Sequence, residues 1–168
     1  MHTYTLRANA AIFFAIAALG AMAFGCYFTG TFMESSPVVD KFEMNTLKRL
    51  TKHRGVDRAI LTFDTSFDLS SVFNWNVKQL FVFVTAKYAS ESHPRNEIVV
   101  YDRVITRSDS PVVDMNDVFN EYPVLDVFED LRNRDVTFTL NWDIMPYFGP
   151  LEIQSKGSFD YTLPTVYK

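Results

Sequence analysis

The chain has 168 residues, of which 48% are apolar, 15% aromatic and 21% charged, with a net charge of −4. That size allows one domain and an appendage, and the apolar and aromatic content excludes a disordered tail. An acidic chain without a concentrated basic face is not built for nucleic acid, and one cysteine excludes a disulfide scaffold or a Cys-rich zinc site.

The first element is apolar. Ala11 to Met33 form 23 consecutive residues without Asp, Glu, Lys, Arg or His. As a helix rising ~1.5 Å per residue the run spans roughly 34 Å, enough for a hydrocarbon core about 30 Å thick. Two readings fit it. In a cleaved signal peptide, Arg7 lies in the basic leader and Ala21-Met22-Ala23 meets the small-x-small rule, so the mature chain starts at Phe24 as a secreted or surface β-sandwich binding module. In an uncleaved signal anchor, the run continues past Ala23 through Phe24-Gly25-Cys26-Tyr27-Phe28. Ala17, Ala21 and Gly25 then make a small-residue stripe for helix packing, and Tyr27, Phe28 and Phe32 gather near the far end, where aromatic belts sit. The anchor is preferred, with residues 1–10 as a short N-terminus, 11–33 as the transmembrane segment and 34–168 as a folded domain. Flanking charges leave the orientation open, because Lys41, Lys48, Arg49 and Lys52 outnumber Arg7 while Glu34 and Asp40 stand nearer the helix.

Ser35-Ser36-Pro37 reads as a hinge. Beyond it the dominant period is two. Val38 to Thr46 suits a strand, although Met44, Leu47 and Leu50 also fit a short helix, and the basic run Lys48 to Arg54 reads as a solvated loop or a contact for anionic headgroups. Leu61, Phe63, Thr65, Phe67 and Leu69 alternate with Thr62, Asp64, Ser66 and Asp68, predicting a strand with one buried and one wet face. Leu80 to Val84 is apolar on both faces, as in a central strand covered twice. A turn at Ser92 to Asn96 introduces a strand through Ile98-Val99-Val100-Tyr101 and Val104-Ile105. Met115, Val118, Phe119 and Tyr122 lie at helical spacing, with Asp114 to cap and Pro123 to end them, predicting a short helix. Val136 to Ile144 alternates again, and Leu151 to Ile153 and Phe159 to Leu163 add edge strands. The predicted fold class is all-β, a sandwich with a short helix, plus one N-terminal transmembrane helix.

Chemistry is scarce. No G-x-S-x-G, H-E-x-x-H, P-loop or G-x-G-x-x-G occurs, so no catalytic, cofactor-binding or metal residue is named and no cofactor is expected. Asp64-Thr65-Ser66-Phe67-Asp68 opens like a calcium loop, but Leu69 and Trp75 stand where Gly and Glu are needed. No Asn-x-Ser/Thr sequon is present, so no glycosylation site is assigned.

The most distinctive stretch runs from Asp68 to Val84 around Asn74-Trp75-Asn76, a tight polar turn with Trp75 read first as a core anchor. Its pattern Asp68-Leu69…Val72-Phe73-Asn74-Trp75-Asn76-Val77-Lys78-Gln79-Leu80-Phe81, preceded by Ile60-Leu61-Thr62-Phe63-Asp64, resembles subunit 3 of the eukaryotic signal peptidase complex. So do Arg7-Ala8-Asn9, Phe24-Gly25-Cys26, Ile98 to Val104 and Val136 to Trp142, in order and over nearly the whole chain. The resemblance implies a type II single-span protein of the endoplasmic reticulum membrane, with a cytosolic N-terminus and a lumenal β-rich domain. It implies a noncatalytic accessory subunit, partnered with a catalytic serine-protease subunit and the other subunits of a complex that removes signal peptides. Trp75, Asn76, Lys78 and Gln79 match the distinctive segment and become candidate partner contacts. Asp135-Val136-Thr137 stands where some members carry a glycosylation acceptor, so that feature is not carried over.

Overall fold

The structure, a computed structural model, describes residues 3–91, 93–128 and 131–168. Ser92 of the expected turn lies outside them. Helix α1 (Tyr4–Gly30) is 27 residues long and has no buried residue. It starts ahead of the apolar run and stops three residues short of its end. There the Thr31 hydroxyl donates to the Phe28 carbonyl at 2.5 Å, occupying one of the last carbonyls that the ending helix would leave bare, while the Thr29 hydroxyl bonds back to the Gly25 carbonyl at 2.7 Å.

Eight strands follow: β1 (Val38–His53), β2 (Val56–Asp68), β3 (Val77–Tyr88), β4 (Asn96–Thr106), β5 (Val112–Phe119), β6 (Val124–Asp126), β7 (Asp135–Pro146) and β8 (Glu152–Thr162). They make two antiparallel four-stranded sheets. In one, β2 lies between β1 and the pair β5 and β6; the other runs β4-β3-β7-β8. The inner faces meet over Leu61, Phe63, Phe67, Leu80, Val82, Phe138 and Trp142, all fully buried. The alternation expected of Leu61–Leu69 and Val136–Ile144 supplies the inward positions of β2 and β7 at every second residue. The two edge segments at Leu151 and Phe159 are one strand, β8, bent by a register shift opposite Thr139 and Asn141.

Residues 115–122 are not helical. Met115 and Val118 both pack on the core from β5, and the step of three between them comes from a β-bulge. Phe63 pairs with Val118 and Thr65 with Met115, so Asn116 and Asp117 together face Asp64, and Asp117 takes a φ of 55°. A two-for-one bulge shifts the alternation by one residue and imitates a helical i, i+3 spacing. Phe119 and Tyr122, the other two positions of the expected apolar face, are exposed.

The bulge also corrects the expected wet face of β2, where Thr62 and Asp64 are buried. Asp64 accepts from the Asp117 N–H at 2.8 Å, the Lys41 ammonium at 2.7 Å and the Asn45 amide at 2.9 Å. Led by the Asp117 N–H, these donors hold its carboxyl down at about 2. Native Asp64 therefore releases its proton more readily than the unfolded chain does. Its contribution to stability is whole above about pH 4 and is lost as the pH falls toward about 2. Asp68, Asp109 and Asp117 are shifted the same way by hydroxyl and N–H donors. Thermal melts of the full chain in detergent are expected to fall steeply across that window, and Asp64→Asn to flatten part of the slope. An unchanged slope in the variant would remove Asp64 from the account.

Two further expectations fail. The basic run is not a juxtamembrane loop, because Lys48 to His53 finish β1 and only Arg54 and Gly55 turn. At ~3.3 Å per residue from Val38 the cluster runs from about 33 to about 50 Å along the strand, with Lys48 paired to Asp117 at 3.1 Å. The central strand β3 is covered once, not twice. Leu80, Val82 and Val84 face the core, whereas Phe81 and Phe83 stack at 5.4 Å, half-buried, on the outer face.

Candidate functional site at the helix–domain junction

The distinctive segment folds at the point where α1 meets the sandwich. After β2, a single 3₁₀ turn (Ser70–Val72) leads into Phe73-Asn74-Trp75-Asn76. The Asn74 side chain accepts from the N–H groups of Asn76 at 2.8 Å and Val77 at 3.2 Å, the local bonding that makes Asn a turn residue. Arg107, from the end of β4, closes the turn from outside by donating to the carbonyls of Val77 at 2.8 Å and of Asn74.

Asn76 then joins this turn to the β7–β8 loop. Its amide donates to the Phe148 carbonyl at 2.8 Å and accepts from the Phe148 N–H at 3.2 Å, while its own carbonyl takes the Tyr147 N–H at 2.7 Å. A side chain thereby supplies two rungs of hydrogen bonding where the strands have ended. The helix rests on the assembly. A Cβ on Gly30 would lie 3.7 Å from that of Asn76, and one on Gly149 only 2.7 Å from the Tyr27 ring. Gly149 has a φ of 130°, so both the backbone and the approach of the helix require glycine.

Nor is the connection a free hinge. The Ser36 N–H donates to the Ser71 hydroxyl at 3.1 Å, and the Lys156 ammonium to the Pro37 carbonyl at 2.8 Å. Between helix and sheets lies a cleft of about 190 Å³, lined by Tyr27, Met33, Val72, Asn76, Ile144 and Gln154 among others. Gln154 reaches inward to accept from the buried Trp142 indole N–H at 3.2 Å, which couples the cleft to the core.

The candidate residues separate here. Asn76 is buried in the junction and Gln79 is half-buried, its amide donating to the Met145 sulfur at 3.1 Å; Lys78 is exposed. Trp75 is 48% exposed, so it does not anchor the core, and the turn is held by Asn74, Asn76 and Arg107 instead. Ala17 and Ala21 are exposed, Gly25 is half-buried, and a Cβ on Gly25 would meet nothing within 4 Å. Sequence reasoning missed Gly149 and Arg107. Gly149 carried a usable signal, a Gly-Pro pair between two strands. Among the described residues no three His, Cys, Asp or Glu side chains are grouped to hold a metal.

Comparison with known proteins agrees with this architecture. The family described as SPC22, signal peptidase subunit, matches residues 1–166. Signal peptidase complex subunit 3 of Gallus gallus is 35% identical over 175 residues, spanning all of this chain and 97% of the relative. The Homo sapiens protein of that name is 33% identical with the same coverage, and the Drosophila melanogaster one 31% identical, over 99% of this chain and 97% of the relative. The chain therefore belongs to the signal peptidase complex subunit 3 family, noncatalytic accessory subunits that work with the other subunits of that complex, and its N-terminal apolar helix is consistent with a membrane protein of the endoplasmic reticulum.

Proposed function

We propose that the chain is a type II single-span subunit whose residues 11–33 cross the endoplasmic reticulum membrane, with residues 1–10 cytosolic and 34–168 lumenal. Its task is positional: the sandwich holds the catalytic serine-protease subunit at a fixed height above the bilayer. The observation that carries this reading is the locked junction, in which Asn76 and Gly149 seat the helix end directly on the domain. A protease that cuts just beyond a membrane-embedded segment must be placed closely, because a misplacement of about 1 Å can cost about 100-fold in rate. The stacked Phe81 and Phe83, half-buried on the outer face of β3, support a contact there with the catalytic subunit. Trp75, Lys78 and Gln79 remain candidate contacts. The uncovered stripe of Ala17, Ala21 and Gly25 suits close packing against a partner helix.

The test is recovery of the full chain in mild detergent with its intact mass determined. Co-recovery of a serine-protease subunit on a chain that still carries residues 1–33 is expected. A chain starting at Phe24 with no partner would overturn the reading in favour of a secreted binding module.

A further inference from the structure

We infer that the edge of the sandwich next to α1 is itself seated in the interfacial layer of the phospholipid bilayer, through Trp75 of the β2–β3 turn and Tyr147, Phe148 and Leu151 of the β7–β8 loop. The inference rests on the reading of α1 as a membrane anchor and goes beyond it, because it assigns a lipid-contacting surface to the folded domain.

Two observations carry it. The first is depth. Arg7, in the first turns of α1, is the last charged residue before the apolar run, and Glu34 is the first after it. A helix entering the hydrocarbon at Ala11 and rising ~1.5 Å per residue reaches the far boundary about 30 Å later, at about residue 31. The β7–β8 loop touches α1 at Tyr27, and Asn76 touches it at Gly30. Both segments are therefore held within about one helical turn of the boundary.

The second is composition. Tyr147-Phe148-Gly149-Pro150-Leu151 carries no charge. Tyr147 and Leu151 are each 64% exposed and Phe148 is 47% exposed. Trp75 is bound into the same edge, since its neighbour Asn76 bonds to Tyr147 and Phe148. On the helix side, Phe28 and Phe32 are exposed at the same level. Three segments distant in sequence thus bring exposed large apolar side chains to one rim around the helix exit. Trp and Tyr favour that layer because an amphipathic ring satisfies its apolar body and its polar tip at once. A water-facing edge would have no need of this collar, whereas the sheet farther along β1 from the helix exit presents charge, as at the Lys48–Asp117 pair.

Two tryptophans make the test direct, since Trp142 is buried in the core and only Trp75 is exposed. The full chain is reconstituted into phosphatidylcholine vesicles, with part of the lipid brominated near the headgroup end of its acyl chains. Trp75 emission is taken as the difference between the wild type and Trp75→Phe, whose fold is checked by circular dichroism. It is expected to fall about twofold with the brominated lipid and to resist aqueous iodide. Emission quenched by iodide and untouched by bromine, in protein that stays with the vesicles after an alkaline wash, overturns the seating and leaves the anchor standing. Protein released by the wash removes the anchor reading itself. The same difference measurement on the assembled complex is expected to keep the bromine quenching, and its loss there would assign the rim to a partner subunit rather than to lipid.

Discussion

Asn76→Ala is expected to lower the stability of the full chain by about 2–4 kcal/mol, because it orphans two backbone groups and each buried unpaired group costs about 1–3 kcal/mol. The groups are the N–H and C=O of Phe148, which meet the Asn76 amide at 3.2 and 2.8 Å. Water can reach part of the loop, and this keeps the loss below the full sum. Asn76→Asp tests the geometry separately: it retains an acceptor for the Phe148 N–H but loses the donor for the carbonyl, so it is expected to be destabilised as well. Urea titration in detergent gives the free energy. Proteolysis at the β7–β8 loop should accelerate in both variants, and a variant with wild-type stability and protease resistance would show that the junction holds without this clamp.

Trp142→Ala is expected to be the most damaging single change, at about 3–5 kcal/mol, as for other large-to-small changes of a buried aromatic residue. Trp142 is 1% exposed, sits on the central strand β7 opposite Val82 of β3, and spends its one polar group on Gln154. Domains of this kind have only about 5–15 kcal/mol to lose, so the variant should be recovered largely unfolded at physiological temperature. Trp142→Phe keeps most of the ring and drops the N–H. It is expected to cost less than the alanine, with the loss concentrated at the Gln154 wall of the cleft. Equal effects from the two variants would assign the role to the indole hydrogen bond rather than to packing.

What could be read in the chain beforehand follows from the range of each interaction. β7 was legible because it lies inside its sheet, between β3 and β8, with one face on the core, and the alternation from Val136 to Trp142 is the direct imprint of that pleated strand. The helix expected at Met115 to Tyr122 failed because one bulge residue, Asp117, inserts a step of three into a period of two. The burial of Thr62 and Asp64 was hidden for the same reason, since the cover over them is built by β1 and by that bulge. Phe81 and Phe83 misled in another way: their apolar character does not say which face of the strand meets the core, and on the outer face they remain half-buried, stacked on each other. At the site, the turn around Asn74 to Asn76 was legible from its polar residues, and its partner was not. Asn76 meets Phe148 across 72 positions, and no local pattern encodes such a meeting. Trp75 was misread because size alone does not distinguish a tryptophan packed in a core from one offered at a boundary.

The outermost strand of the first sheet has a consequence for the protein before it finds its complex. β1 bonds to β2 on one side and, among the described residues, pairs with no strand on the other, which over 16 residues would be a template for runaway strand addition. Three register irregularities, at Val39/Lys41, Met44/Thr46 and Leu47/Arg49, break that edge into short lengths, and the terminal Lys168 backbone occupies Leu50 with paired bonds of 2.7 and 3.0 Å. Lysines at 41, 48 and 52 add the cost of burying charge to any chain that attempts to join. An unassembled copy is thus protected against strand addition along this edge.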